Sequence, residues 1–108
     1  MSAIEIEQGS GNVYTDLGLP EADEMLVKAR LAAKIGDIIK HRHLSQEQAA
    51  EILGLPQPKI SNMLRGKFRG ISEAKMLECL TRLGRDVQIV VKPTRAKRKV
   101  GRLEVVFP

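Results

Sequence analysis

The sequence predicts a mainly α-helical fold of four to five helices closed by one C-terminal β-strand, and three observations carry that prediction. Apolar residues recur at three- and four-residue spacing through most of residues 20–84, the period of a helix that buries one face. Residues 44–66, LSQEQAAEILGLPQPKISNMLRG, read as two short helices around a tight turn. Residues 86–92, DVQIVVK, alternate instead, which is the period of a strand.

The elements follow in order. Residues 1–19 are expected to be a flexible N-terminal segment, polar and glycine-containing, although Ile4 and Ile6 alternate with Glu5 and Glu7 as an edge strand would. The first helix runs from Pro20, suited to a first turn, to about His41. Its acidic start at Glu21, Asp23 and Glu24 suits the positive end of the helix dipole. Leu31, Ile35, Ile38 and Ile39 form its inward stripe, and Ala22, Met25, Leu26 and Ala29 extend the apolar surface upstream. Gly36 weakens the middle by roughly 1 kcal/mol relative to alanine, so a bend there is allowed.

In the next helix Ser45 and Gln48 have the spacing of a capping box. Ala49, Ala50 and Leu53 make its apolar stripe, and the small Ala50 lets a second helix cross closely. Gly54 stops the helix where a left-handed residue is needed. Leu55 packs under the turn, and Ile60, Met63 and Leu64 return to the same core. Pro58 restricts Gln57 to extended backbone, so the second short helix is expected to begin at Pro58. The last helix spans about Ser72 to Leu83, with Met76, Leu77, Leu80 and Leu83 inward and Gly84 as its stop.

The domain of residues 20–84 is followed by a strand at residues 85–93. Val87, Ile89 and Val91 share one face, with Gln88 and Val90 on the other. A lone strand leaves its backbone donors and acceptors unpaired. Two partners are open: the same strand of a second copy about a two-fold axis, giving a homodimer, or a hairpin with Leu103–Phe107 of the same chain. Residues 94–108 form a basic tail with a short strand possible in LEVVF. Its basic run reads either as an arm on phosphates or in a minor groove, or as a solubilising segment.

A capped helix, a glycine turn and a second helix with a polar and basic face is the arrangement that sets a helix into the major groove of DNA. The exposed side of the second helix carries Gln57, Lys59, Ser61 and Asn62 as the base-reading candidates. Gln57 and Asn62 have the amide that pairs with adenine, and Lys59 reaches guanine acceptors or a phosphate. Arg65, Lys67 and Arg69 leave the helix where the sugar-phosphate backbone would pass.

Charge divides the chain. Residues 1–37 hold seven acids against three bases, net −4, whereas residues 38–108 carry +9. The basic part fits phosphate binding; the acidic head fits a basic partner or a solvated face. Aromatics are scarce, which argues against a stacking platform for single strands. Cys79 is the single cysteine, which excludes an intramolecular disulfide. His41 and His43 stand two apart, a spacing that does not place both on one helix face, so no metal or other cofactor and no catalytic set is expected. Without a membrane-length apolar run or a secretory pattern, a soluble cytoplasmic protein is expected.

The stretch resembles the helix-turn-helix of the phage repressor/Cro class, the XRE-like regulators, and the domain is thus expected to be repressor-like. The family's packing alanine falls on Ala50, its turn glycine on Gly54 and its buried aliphatics on Ile60 and Met63. Gln46 resembles the family's phosphate-contacting glutamine, whereas prolines at 56 and 58 depart from its more usual Ser/Thr/Gln-rich helix start. Residues 71–84, followed by DVQIVVKP, look like the small HigA-type antitoxins. The resemblance covers roughly residues 13–93. It implies a repressor that binds a palindromic double-stranded operator as a homodimer and neutralises a basic RelE/HigB-like toxin, with Glu21, Asp23, Met25 and Leu26 as the toxin contact. A freestanding regulator without a toxin, and an adaptor with no DNA role, are the other two readings.

Overall fold

The computed structural model describes residues 21–94 and 100–108, with side chains described from Glu24 onward. The expected features at residues 1–20, including the helix start at Pro20, and residues 95–99 of the basic tail lie outside the described residues. Among the described residues there are four helices: α1 (Glu21–His41), α2 (Gln46–Leu53), α3 (Gln57–Leu64) and α4 (Glu73–Arg82). None is long and apolar enough to cross a membrane.

The chain divides into two compact units. Residues 28–87 form the helical one, and its core is aliphatic, as the scarcity of aromatics requires. Leu31, Ile35, Ile38 and Ile39 are buried on α1, confirming the inward stripe. They are joined by Leu53, Ile60, Met63, Met76, Leu80 and Leu83. Two further members are Phe68, from an unexpected place, and Cys79, which was expected as a small apolar residue in a packed helix. Phe68 is only 7% exposed although it sits in a basic loop, and Cys79 is wholly buried in α4. Leu77, expected inward, is half-buried.

α1 runs unbroken through Gly36. A β-carbon there would lie 3.2 Å from Cδ2 of Leu64, so the glycine admits the end of α3 against α1. Its place is explained by close approach rather than by a break. Beyond His41, the amides of His43 and Leu44 donate to the carbonyls of Lys40 and Ile39, both at 3.0 Å. That pairing is a Schellman stop, and His43 holds the left-handed position at φ 57°. Arg42 donates to the carbonyl of Leu83 at 3.4 Å, tying the end of α1 to the end of α4.

α2 begins with the expected capping box. Oγ of Ser45 accepts from the Gln48 amide at 3.0 Å, and Oε1 of Gln48 accepts from the Ser45 amide at 2.8 Å. Gly54 ends it at φ 67°, as the turn requires. The methyl that is completely buried belongs to Ala49, while Ala50 is half-buried.

α3 starts at Gln57, one residue before the expected Pro58, with Pro56 as an extended N-cap. The preference of a pre-proline residue for extended backbone is overridden here. In the first turn the missing proline amide has no helical partner to lose, and Ile60 and Met63 are both drawn into the core. In α4, Oγ of Ser72 accepts from the Lys75 amide at 3.1 Å, and the helix ends at Leu83 and Gly84 as expected.

Of the described residues, 21–27, 88–94 and 100–108 belong to the second unit. The expected strand is corrected here: residues 86–92 carry no strand, and neither do residues 103–107, so the hairpin within the chain does not form. Strand structure needs a paired backbone, and among the described residues of one chain no such partner is supplied. Ile89, Val90 and Val91 are instead 54%, 75% and 65% exposed.

Candidate nucleic-acid interface

The helical unit sets α3 by two devices. Behind it, Ile60 and Met63 anchor the helix in the core. Beside it, α2 packs against both α3 and α4. α4 adds a clamp across the motif. Arg82 donates through Nε to Glu78 at 2.9 Å and through Nη1 to the carbonyl of Ile52 at 3.3 Å. A cation at the carbonyl end of α2 favours the helix dipole and fixes the turn that aims α3. The Arg82 hydrogen bond, helped by Lys75, holds the Glu78 carboxyl below its ordinary value of 4.5. Residues thirty apart in sequence make this contact, and no local pattern announces it.

The outer face of α3 and the loop after it are chemically one-sided. Residues 57–69 contain Lys59, Arg65, Lys67 and Arg69 and not one acid. No acid in the first turn of α3 opposes an anion there. The positive potential therefore builds along one helix and its exit, the pattern of a phosphate-facing surface.

The expected readers separate into kinds. Gln57 and Asn62 are exposed, and Ser61 is half-buried. The Lys59 ammonium donates to the Gly70 carbonyl at 2.8 Å, so it ties α3 to its following loop as well as charging it. Oδ1 of Asn62 accepts from Nη2 of Arg65 at 2.8 Å. Pro58, Lys59, Asn62, Lys67, Gly70 and Ile71 line a notch of about 140 Å³ on this face. Among the expected phosphate contacts, Gln46 is exposed at the first position of α2, and Lys67 and Arg69 are exposed in the loop. Arg65 caps α3, and the Gly66 turn follows at φ 85°.

Burial pushes the Cys79 thiol up, so it stays protonated at neutral pH and behaves as a small apolar residue. Among the described residues no three His, Cys, Asp or Glu side chains gather as a metal would need. Of the expected toxin contacts, the side chains of Glu21 and Asp23 lie outside the described residues. Met25 is half-buried and Leu26 is 57% exposed.

A helix held across a glycine turn by a capped neighbour, with a cationic outer face, is the arrangement of a helix-turn-helix regulator. Residues 13–92 match the family described as helix-turn-helix domain. The chain is also similar to a solved structure described as a proposed XRE-family transcriptional regulator. Identity is 36%, the match covers 82% of this chain and all of the other, and the TM-score is 0.76. No curated protein matches. The chain therefore belongs to the XRE-type helix-turn-helix family.

Proposed function

We propose that the protein is a sequence-specific, DNA-binding transcriptional repressor that reads a palindromic operator as a homodimer. The observation that carries this is the acid-free outer face of α3, where exposed amides stand among four cations. Gln57 and Asn62 are the principal base contacts, with Lys59 and Ser61 at the margin. Gln46, Lys67 and Arg69 take phosphates. Two copies are needed because one eight-residue helix spans only a few base pairs, whereas a symmetric pair reads two half-sites. The exposed run Ile89–Val91, with the half-buried Val87, is the surface that pairs across the two-fold axis. A protein that sediments as a monomer at micromolar concentration lacks this pairing.

The finer reading is the antitoxin of a type II toxin–antitoxin module that represses its own operon. Its support is the resemblance to HigA-type antitoxins, the net −4 of residues 1–37 and the exposure of Leu26. These suit a basic RelE/HigB-like toxin at Glu21, Asp23, Met25 and Leu26. A freestanding regulator is the second reading, favoured by the description of the solved relative as a transcriptional regulator. A gel shift on the protein's own promoter tests repression. Co-purification with the product of the adjacent small gene tests the antitoxin role. Promoter binding without capture of that neighbour leaves the freestanding repressor, and no promoter binding removes both.

A further inference from the structure

The pair at the end of α3 changes what that helix can read. An asparagine that recognises adenine uses both ends of its amide: Oδ1 accepts from the adenine N6 amino group, and Nδ2 donates to N7. In this structure Oδ1 of Asn62 already accepts from Nη2 of Arg65 at 2.8 Å. The guanidinium draws the carbonyl end of the amide toward itself, which leaves the amino end of Asn62 as the group turned away from the cation. Arg65 has further N–H groups in its planar fork, and all of them are donors. Lys59, on the same helix, adds another donor-only head.

This corner of α3 is therefore dominated by donors, with one lone pair of Asn62 Oδ1 already taken by the guanidinium. In the major groove guanine offers two adjacent acceptors, N7 and O6. Adenine sets an amino donor beside its N7, and cytosine presents an amino donor. A donor array facing an amino group leaves both unsatisfied, which is costly in a dehydrated groove. We propose that Asn62 and Arg65 act as one reader for guanine, with Arg65 a specificity-determining residue rather than a phosphate anchor. The proposal rests on α3 being the helix that enters the groove.

The test begins with selection of bound duplexes from a random library by the full-length protein, followed by titration of the selected duplex and a scrambled one. Expected is a motif with guanine at the same place in each half-site. Replacing that guanine by 7-deazaguanine, which lacks the N7 acceptor, lowers affinity about tenfold. Asn62→Ala and Arg65→Ala each abolish the guanine preference, and the double variant is no worse than either. Both side chains are exposed, so the fold is retained in all three. Adenine at that place overturns the proposal, as does a guanine preference that survives either substitution. Equal loss on selected and scrambled duplex for Arg65→Ala makes Arg65 a phosphate contact and overturns it too. If no motif is enriched, base reading by α3 fails altogether and this proposal falls with it.

Discussion

α2 and α3 are both eight residues long and lie next to each other, yet they are held by opposite means. α2 carries its own termination at both ends: a reciprocal capping box at Ser45 and a left-handed glycine at position 54. α3 has an extended proline for its N-cap, with no side-chain bond, and a proline inside its first turn. Its definition comes from outside, through two residues buried in the core and a lysine tied to the following loop. The difference teaches how the motif divides its work. The positioning helix α2 satisfies its own polar ends, whereas α3, proposed as the reader, keeps its polar groups outward and relies on packing.

The largest expected effect comes from removing the packing under α3. Ile60→Ala is expected to destabilise the protein by about 2–5 kcal/mol in chemical denaturation, since the side chain is fully buried. A cost below about 1 kcal/mol would mean that α3 is held by something other than its core face. Next in size is the turn. Gly54→Ala puts a β-carbon on a left-handed residue, 3.4 Å from Nη1 of Arg82, and is expected to cost about 1–2 kcal/mol by thermal unfolding.

Caps separate the two helices more finely. Ser45→Ala is expected to lose about 1 kcal/mol, because it removes the acceptor for the Gln48 amide. Pro56→Ala, at the same position of α3, removes no side-chain bond and is expected to stay within about 0.5 kcal/mol. Equal losses at the two sites would erase the contrast. The smallest expected effect is on pH. The Glu78 carboxyl is depressed below 4.5 first by its bond to Arg82, so its contribution is present above the ordinary glutamate range. It is lost as pH falls through the depressed value. Glu78→Gln should therefore flatten the acid limb of a stability–pH profile, and an unchanged limb would show that the Arg82 clamp carries no charge-dependent part.

Much of this was legible because it is local. The cap at Ser45, the stop at Gly54 and the stripe Leu31, Ile35, Ile38 and Ile39 are encoded within a few residues of themselves, and the structure has each of them. What was not legible depends on residues distant in the chain or on another chain. Phe68 carries no periodic signal in its basic loop, so its burial is visible only once the loop folds back. Arg82 meets Ile52 across thirty positions. The choice between Ala49 and Ala50 as the wholly buried methyl turns on small rotations of α2 that spacing does not resolve. The strand at residues 86–92 failed for a different reason: its alternation is real, but alternation becomes a strand only when a partner pairs with it.

On the outer face of α3, the exposure of the side chains was legible in the sequence but their arrangement was not. Gln57 and Asn62 are exposed as expected, while Lys59 is engaged with Gly70 and Asn62 with Arg65. Those bonds involve flexible side chains whose partners spacing alone does not select.

Whether α3 reads base edges is decided by the affinity of Asn62→Ala for the operator relative to random duplex at fixed salt. Expected is a loss of roughly 1–3 kcal/mol on the operator with little change on random DNA. Equal loss on both would contradict it.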